Sequence, residues 1–423
     1  MREMKDSHTE WLECIPQDWA LSNIGALYSM RNTKVSDRDY QPLSVTMKGV
    51  VPQLETAAKS DAHDDRKLVK KGDFAINSRS DRRGSCGIAD RDGSVSLINT
   101  ILAPRSEMNP DYYNWLFHTS QFADEFYRWG HGIVDDLWTT RWQEMKKIEV
   151  PIPNCNEQEK IADYLDTACT KVDALIANQQ TQIEKLKAYK QSLITEVVTH
   201  GLDPDAPMKD SGVEWIGRIP QGWEYLKSFY IYDNIGDVDH NMPNSVAEGV
   251  PYVMTGDLMD VVSKIDFEKC KKISQLDYEK LSKKITPNRG DIIFARYATI
   301  GTVCYVDVDK EFIVSYSCVT IKPNRKKADG KYLWFYYQSV AFLEEVKKLI
   351  NSNTQANVGM ESLYRANIIV PPLNEQKEII AYLDGKCAKI DALIVIKQKK
   401  IEKLTEYKKS LIYEYVTGKK EVT

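Results

Sequence analysis

The chain has 423 residues and a formal net charge of −4, and 28% of its residues are charged. This length predicts two or three domains, and the lack of any apolar run near the ~18 residues that a bilayer requires excludes a membrane protein. The N-terminal segment is charged and lacks the apolar core of a secretory signal, so we expect a cytoplasmic protein.

A short element near the N-terminus recurs in the middle of the chain. Met4-Lys-Asp-Ser7, Glu10-Trp11, Ile15-Pro-Gln17 and Trp19 reappear 204 residues later as Met208-Lys-Asp-Ser211, Glu214-Trp215, Ile219-Pro-Gln221 and Trp223. We call these segments, residues 4–19 and 208–223, the Trp elements. One copy opens the chain and the other follows a long helix, so the simplest geometry is a ring-like pseudo-twofold. We therefore expect the two termini to lie close together.

The first globular stretch, residues 20–150, contains a basic patch. Residues 66–91 hold eight Lys or Arg against three Asp or Glu, although the whole chain is acidic. Phosphate neutralisation requires such clustering. Within the patch, the loop at residues 77–84 combines three arginines with small residues that let the backbone approach DNA. Arg79, Arg82 and Arg83 are therefore candidate DNA contacts, with an ordinary solvated loop as the alternative.

One motif in this stretch resembles a catalytic loop. Asn109-Pro-Asp-Tyr112 is close to the Asn-Pro-Pro-Tyr loop of adenine methyltransferases. It lacks the second proline, and its counterpart Asp329-Gly-Lys-Tyr332 keeps only the tyrosine, so we interpret it as a turn that caps a helix. The sequence has no GxxxxGK loop, no Cys-x-x-Cys pair and no histidine pair at metal-ligand spacing. It predicts a binding protein without catalytic, cofactor or metal sites, whose eight separated cysteines are reduced and buried.

Two long helices are the best-defined predicted elements. Residues 156–199 align without gaps on residues 374–417, with 26 of 44 positions identical. Each copy follows a proline-rich lead, so Asn156 and Asn374 are the expected N-caps, and Glu157 is favourably placed on the helix dipole. Both carry apolar residues at the 4-3 spacing of a coiled coil. These are Ile161, Leu165, Ala168, Val172, Leu175, Leu186, Tyr189 and Leu193 in the first helix and Ile379, Leu383, Ile390, Leu393, Leu404, Tyr407 and Leu411 in the second.

The apolar seam becomes polar in the middle of each helix, at Gln179 and Gln182 in one copy and at Lys397 and Lys400 in the other. A polar layer costs stability but fixes register and orientation. The pseudo-twofold makes the pair antiparallel, and at 1.5 Å per residue each helix is roughly 65 Å long. Such a pair predicts a spacer between two globular domains. The alternative is a coiled coil that dimerises two chains.

The second globular stretch, residues 224–370, shares only its scaffold with the first. Lys71-Gly-Asp-Phe-Ala75 matches Arg289-Gly-Asp-Ile-Ile293, and residues 269–296 again hold eight basic and three acidic residues. The loop at residues 351–357 offers amides that suit adenine edges, whereas the matching loop at residues 131–136 differs chemically. We therefore expect the halves to recognise different sequences. The candidate DNA contacts in this half are Lys283, Lys284, Arg289, Arg296, Tyr297, Asn353, Gln355 and Asn357.

The repeated segments resemble the specificity subunits of type I restriction-modification enzymes. Residues 208–223 are similar to the domain-opening signature of that family, and Pro371-Pro-Leu-Asn-Glu-Gln376 with the following helix is similar to its closing one. The first half departs slightly, with His8-Thr9 in place of Gly212-Val213 and Pro-Asn-Cys-Asn in place of Pro-Pro-Leu-Asn. The resemblance covers nearly the whole chain.

The resemblance implies an α+β fold with two globular α/β target-recognition domains, at residues 1–150 and 208–370, separated by antiparallel coiled-coil spacer helices at residues 151–207 and 371–423. It implies that each domain recognises one half of a bipartite double-stranded DNA target, and that the helices set the gap. The implied partners are two methyltransferase subunits, which use S-adenosylmethionine, and a restriction and motor subunit, which uses ATP and Mg. The chain itself would bind no cofactor. Two alternatives remain: a nucleic-acid-binding adaptor of another defence complex, and a methyltransferase in its own right.

Overall fold

The computed structural model describes residues 2–53, 63–79, 82–132, 138–297, 299–351 and 357–422. The chain forms two compact units, the first made of Met1–Gln180 with Gln398–Thr423 and the second of Thr181–Lys397. Both boundaries fall inside long helices. Each unit therefore contains one globular domain, the beginning of one long helix and the end of the other.

The first unit is built from short strands and helices, and its last element continues into the second unit. Its elements are β1 Met4–Asp6, β2 Cys14–Pro16, β3 Ala20–Asn23, α1 Ile24–Leu27, β4 Tyr28–Arg31, β5 Lys34–Val35, β6 Leu43–Thr46, β7 Gly49–Pro52, β8 Arg66–Val69, β9 Phe74–Asn77, β10 Cys86–Ile88, β11 Gly93–Val95, β12 Asn99–Pro104, α2 Pro110–Phe117, α3 Ser120–Arg128, α4 Trp142–Met145, β13 Glu149–Ile152 and α5 Cys155–His200.

The second unit follows a similar order, and its last helix returns to the first unit. Its elements are β14 Met208–Asp210, β15 Arg218–Pro220, β16 Glu224–Lys227, β17 Tyr232–Gly236, β18 Val250–Val253, β19 Lys271–Ile273, α6 Gln275–Ser282, β20 Ile292–Ala295, β21 Val303–Tyr305, β22 Ile313–Val314, β23 Cys318–Pro323, α7 Gly330–Tyr337, α8 Val340–Leu349, β24 Ile350–Asn351, β25 Asn357–Val358, α9 Met360–Arg365, β26 Asn367–Val370 and α10 Leu373–Val416, with 3-10 helices at Ser228–Tyr230, Thr255–Asp257 and Val262–Lys264.

The core of the first unit is an antiparallel sheet in the order β10-β9-β12-β4. Strand β9 is central and all four of its residues are buried, as its largely apolar sequence dictates. Helix α2 covers one face of this sheet, where Tyr113 and Phe117 pack against Tyr28 and Phe74. On the other face, a sheet in the order β11-β8-β5 contributes to a second apolar cluster.

The second unit repeats this plan with a sheet in the order β17-β23-β20-β21. Its second sheet, β19-β18-β22, contains a parallel pair between β18 and β22. In the first unit the last residue of β9, Asn77, pairs with the first residue of β12, Asn99. In the second unit the last residue of β20, Ala295, likewise pairs with the first residue of β23, Cys318, so the central strands have the same register. The predicted α+β class with two α/β domains is confirmed.

Two buried glutamines join the long helices to the domains. In the first unit, Gln158 accepts a hydrogen bond from the backbone N–H of Asn109 at 3.0 Å and donates to a carbonyl of the proline-rich lead. In the second unit, Gln376 accepts from the backbone N–H of Asp329 at 2.7 Å and donates to the corresponding lead. Asn109 and Asp329 are the N-caps of α2 and α7, so the interpretation of the Asn-Pro-Asp-Tyr motif as a capping turn is confirmed.

The long helices begin earlier than predicted. Helices α5 and α10 each begin one residue before the expected cap, so the assignment of Asn156 and Asn374 as N-caps is wrong. In the first unit Asn154 takes this role, because its side-chain oxygen accepts a hydrogen bond from the backbone N–H of Glu157 at 3.0 Å. A second asparagine two residues upstream competes for the cap, and the sequence pattern alone does not decide between them.

Each Trp element forms a hairpin whose last tryptophan is tied to a long helix. Strand β1 pairs with β2, and β14 pairs with β15. The indole N–H of Trp19 donates to Glu157 at 2.8 Å, and that of Trp223 donates to Glu375 at 2.7 Å. These carboxylates lie in the first turn of α5 and α10, where the helix dipole also favours them.

The N-terminal hairpin also packs against the end of α10, within the first unit. The hydroxyl of Tyr413 donates to the backbone carbonyl of Trp11 at 2.7 Å. Lys419 forms an ion pair with Glu13 at 2.6 Å. The expectation that the two termini lie close together is confirmed.

The long helices pair in an antiparallel sense inside each unit. Four contacts define the direction: Lys408 with Asp173 at 2.7 Å and the rings of Tyr164 and Tyr415 at 4.4 Å in the first unit, and Lys190 with Asp391 at 2.8 Å and Lys397 with Gln182 in the second. In both units the residue numbers rise along one helix as they fall along the other. The contact between Lys397 and Gln182 belongs to the predicted polar layer.

Some predicted seam positions face solvent. Leu175 and Tyr189 on α5 are 46% and 58% exposed, and Leu393 and Tyr407 on α10 are 47% and 53% exposed. A straight α-helix has 3.6 residues per turn, so positions that repeat every seven residues rotate about 20° around the helix with each heptad. Residues at strict 4-3 spacing therefore turn gradually away from the partner helix. Gln179 is buried instead. The predicted seam is therefore wrong at these four positions.

The cysteines are free and mostly buried. Cys155 is exposed and Cys14 is partly exposed, so the expectation of burial is wrong for these two. None of the described helices is long and apolar enough to cross a bilayer.

Candidate nucleic-acid interface

In the first unit, the start of the loop at residues 77–84 lies beside the segment that follows the loop at residues 131–136, at one end of the central sheet. At the carboxyl end of β9 the chain passes through Ser78 and Arg79. The backbone N–H of Thr140 donates to the carbonyl of Ser78 at 3.0 Å, and Arg79 forms a β-bridge with Thr139. The loop after β9 and the loop at residues 131–136 are therefore joined through Thr139 and Thr140, while residues 133–137 fall outside the described part of the chain.

This end of the sheet borders an open cleft of about 500 Å³, which we call the strand-end cleft. Its lining includes three basic residues, Lys67, Arg79 and Arg141, and two amides, Asn32 and Gln143. No acidic residue lines it within the described ranges. A cleft of one charge sign attracts the opposite charge, so this surface suits a polyanion.

The three arginines predicted in the first loop differ in their surroundings. Arg79 is exposed and lines the cleft, and Arg82 is also exposed. Arg83 is ion-paired with Asp124, and its guanidinium lies 4.7 Å from the ring centroid of Tyr127. Because Arg83 is already neutralised and stacked, we expect a smaller contribution to DNA binding from it than from Arg79.

Two basic residues of the cleft were not identified from the sequence. Arg141 precedes α4, and its exposed side chain makes no capping hydrogen bond to that helix. It reaches the cleft through the tertiary junction between Ser78 and Thr140, which no local pattern reveals. Lys67 belongs to the basic patch, but its ammonium donates to the carbonyl of Asn99 at 2.8 Å, and burial lowers its pKa.

The second unit contains an equivalent junction. The backbone N–H of Val358 donates to the carbonyl of Arg296 at 3.2 Å, and Tyr297 forms a β-bridge with Asn357. Three predicted contacts therefore lie together at the carboxyl end of β20. Two further predicted contacts lie outside the described residues, namely Asn353 and Gln355.

Arg296 does not present its charge to solvent. Its side chain is 7% exposed, and its guanidinium donates to Asp237 at 2.5 Å and to the carbonyl of Tyr316 at 3.0 Å. A buried guanidinium needs such a partner, because desolvating an unpaired charge is costly. The expectation that Arg296 contacts DNA is therefore corrected: it forms an internal ion pair that holds the end of the sheet.

The other predicted basic residues are dispersed. Lys284 forms an ion pair with Asp239 at 3.1 Å, two residues along the chain from Asp237. Lys283 is exposed at the carboxyl end of α6. Arg289 precedes β20 and so lies at the opposite end of that strand from Tyr297. Arg289 is therefore separated from Tyr297 and Asn357, which lie at the carboxyl end of β20.

An unforeseen aromatic pair lies at the same edge of the second unit. The ring of His240 stacks on Tyr316 with centroids 5.0 Å apart, and its Nε2 lies 3.3 Å from Asp237. The His240 side chain is 61% exposed. The sequence gives no sign that His240, a lone histidine in a polar segment, stacks on Tyr316, so this pair is known only from the fold.

The tyrosine of the Asn-Pro-Asp-Tyr motif is packed inside the first unit. The hydroxyl of Tyr112 donates to the carbonyl of Val416 at 2.8 Å, and burial raises its pKa well above the usual value. This tyrosine is therefore not presented to a flipped base. Within the described ranges, no group of three or more His, Cys, Asp or Glu is arranged to hold a metal ion.

Comparison with solved structures supports the fold. A chain from a type I R-M system, solved in work on complex assembly and conformational transition, superposes with a TM-score of 0.69 at 14% sequence identity. The match covers 95% of this chain and 98% of the other.

Comparison with known sequences identifies the family. The type I restriction enzyme MjaVIII specificity subunit of Methanocaldococcus jannaschii is 24% identical, over 96% of this chain and 93% of its own length. The type I restriction enzyme EcoBI specificity subunit of Escherichia coli is 23% identical, over 58% of this chain and 52% of its own length. The model of the type I restriction modification DNA specificity domain matches twice, at residues 16–186 and 237–406. Since these matches span most of the sequence, the chain belongs to the family of type I restriction-modification DNA specificity proteins.

Proposed function

We propose that this chain is the DNA-recognition subunit of a type I restriction-modification complex and that each unit recognises one half of a bipartite target. One observation carries the proposal: the units place different side chains at equivalent positions of the same strand-end frame. The sheet registers give these equivalent pairs outside the buried core: Arg79 with Tyr297, Met30 with Ile235, and Leu97 with Tyr316.

This arrangement suits recognition of two different sequences. Base pairs differ in the donors, acceptors and methyl groups that they present in the major groove, so different side chains select different bases. Basic residues add attraction to phosphates that is independent of sequence. In the first unit, the strand-end cleft contains groups of both kinds. The amides of Asn32 and Gln143 can bond to base edges, and the charges of Arg79 and Arg141 can attract phosphates.

Exposed apolar side chains on the long helices support the docking of two methyltransferase subunits. Leu175 and Tyr407 in the first unit correspond through the repeat to Leu393 and Tyr189 in the second, and all four are exposed. Two equivalent apolar faces favour two copies of one partner. The partners would bind S-adenosylmethionine and methylate adenine, and a restriction subunit would use ATP and Mg. The helices α5 and α10 would set the gap between the half-sites.

Domain exchange with methylome mapping tests the proposal. Residues 20–150 are replaced by the equivalent stretch of another family member, and the hybrid is expressed with its methyltransferase partner. One half of the methylated site should change, while the other half and the gap remain. A hybrid that folds and docks yet recognises both original halves would refute the assignment of one half-site to each unit.

Two measurements separate the proposal from its alternatives. The purified chain alone should neither bind S-adenosylmethionine nor methylate, cleave DNA or hydrolyse ATP, and turnover without a partner would favour an enzyme. Co-purification with a methyltransferase subunit supports the proposal. A chain that binds nucleic acid but recruits no methyltransferase would instead be an adaptor of another complex.

A further inference from the structure

Three apolar side chains are exposed inside the strand-end cleft. Met30 is 41% exposed, Leu97 39% and Ile98 38%. Met30 lies on β4, while Leu97 and Ile98 immediately precede the neighbouring strand β12, and all three line the cleft. We call these three residues the apolar patch. The backbone carbonyl of Ile98 accepts a hydrogen bond from Ser78 at 3.3 Å, which fixes the patch beside the loop that carries Arg79.

The charged rim of the cleft narrows what could cover this patch. Lys67, Arg79 and Arg141 line the same cleft, and no acidic residue within the described ranges does. Neither Arg79 nor Arg141 is in an ion pair with a described residue. A molecule that fills this cleft and complements both the basic rim and the apolar patch must therefore present negative charges around an apolar group. A protein partner would have to present several unpaired carboxylates around such a centre, whereas DNA presents phosphates regularly on both sides of its groove.

DNA offers one apolar group on its base edges in the major groove, the C5-methyl of thymine. The cleft also contains Asn32 and Gln143, both exposed, and such amides form paired hydrogen bonds with the N6 and N7 atoms of adenine. The same cleft thus matches both members of an A·T pair. We propose that the first unit recognises a thymine in its half-site through the C5-methyl group, which packs in the apolar patch of Met30, Leu97 and Ile98.

This inference rests on the proposed function and names the base class for one of its two half-sites. The second unit lacks the patch at the equivalent positions. The sheet registers give Ile235, Tyr316 and Ser317 as the counterparts of Met30, Leu97 and Ile98. Ile235 is partly buried against the core and Tyr316 is stacked with His240, so the exposed surface at these positions is polar and aromatic rather than apolar. Thymine methyl groups in the second half-site should therefore matter less.

Replacing thymine by deoxyuridine tests the proposal, since it removes the methyl group and leaves every hydrogen-bonding group. The full chain in its methyltransferase complex is titrated with duplexes of the mapped target, with deoxyuridine in one half-site at a time. Substitution in the half-site assigned to the first unit should weaken binding about fourfold for each contacted methyl, from about 0.8 kcal/mol per buried apolar carbon. Substitution in the other half-site should weaken binding less than this.

Variants connect this effect to the patch. Leu97→Ala and Met30→Ala should lose affinity for thymine duplexes and no longer distinguish thymine from deoxyuridine. Met47→Ala is the matched control, because Met47 is 72% exposed between β6 and β7 of the same unit and is not in the cleft. It should retain full discrimination. In each variant, discrimination between the correct second half-site and a mutated one shows that the protein is still folded.

Two outcomes would overturn the inference while leaving the proposed function intact: equal affinity for thymine and deoxyuridine, or patch variants that still discriminate. The proposed function itself would fail differently, through a domain exchange that changes neither half-site.

Discussion

Asp237 accepts a 2.5 Å hydrogen bond from Arg296, and the two side chains are only 11% and 7% exposed. The pair joins the carboxyl end of β17 to the carboxyl end of β20, next to the candidate DNA contacts Tyr297 and Asn357. Removing one member of a buried ion pair leaves the other charge desolvated and costs about 3–5 kcal/mol. We therefore expect Arg296→Ala to destabilise this unit strongly.

Hydrogen exchange measured by mass spectrometry checks this expectation. Protection of the β20 amides should fall in Arg296→Ala, whereas the strands of the first unit should keep theirs. Lys284→Ala is the control, since its ion pair with Asp239 is exposed and such pairs contribute about 1 kcal/mol or less. Equal protection in Arg296→Ala and the unmodified chain would show that the pair does not hold the sheet end.

The second prediction concerns phosphate contacts. Arg79→Ala and Arg141→Ala should each weaken DNA binding and reduce the slope of log affinity against log salt by about 0.9 for every phosphate that the arginine neutralises. Arg83→Ala should have a smaller effect, because Arg83 is paired with Asp124. If Arg79→Ala, Arg82→Ala and Arg83→Ala combined leave both affinity and slope unchanged, the DNA surface lies elsewhere.

The third prediction concerns thiol reactivity. Burial raises the pKa of the Cys86 and Cys304 thiols to about 12, so both remain protonated at pH 8, and the thiolate is the reactive form. Cys155 is exposed. Iodoacetamide at pH 8 should therefore label Cys155 first, and Cys86 and Cys304 only after denaturation. Mass spectrometry of the peptides measures the order. Early labelling of Cys304 in the native protein would show that the second unit opens.

The repeated frame could be predicted from the sequence, because a duplicated pattern marks each element twice. The helices, the Trp elements and the closeness of the termini follow from it. Glu157 and Glu375 stand at equivalent places, and each contacts the tryptophan that ends its hairpin.

The details of the candidate interface could not be predicted in the same way. The burial of Arg296 depends on Asp237, which lies 59 residues away in the chain. Arg141 enters the strand-end cleft through a junction between distant backbone segments. On the helices, Leu175 fits an ideal heptad but is exposed, because the true period differs slightly from 3.5 residues. Tertiary pairing and accumulated helical rotation are not local properties.

The fourth prediction tests the spacer. One heptad is inserted into both helices at matching levels, between Leu175 and Leu186 and between Leu393 and Leu404, which preserves the phase of the pairing. Each helix then grows by about 10 Å, equivalent to roughly three base pairs. Both half-sites should keep their sequences while the gap widens. Methylation should weaken, because three base pairs also rotate one half-site by nearly a third of a turn about the DNA axis.

Methylome mapping of the double insertion measures the gap. An insertion into α5 alone is the control, since it mismatches the pair and should abolish methylation or partner binding. An active double insertion with an unaltered gap would mean that the helices do not set the distance.

The buried glutamines Gln158 and Gln376 have a consequence for the evolution of this chain. Each accepts its hydrogen bond from a backbone N–H, that of Asn109 in one unit and that of Asp329 in the other. Every residue except proline offers the same N–H, so the hydrogen bond of the joint does not depend on the side chain at this position, where helix capping alone favours Asn or Asp. Genetic recombination could therefore exchange a whole domain between related genes and keep this joint. Under the proposed function, one such exchange would replace half of the recognised DNA site in a single event.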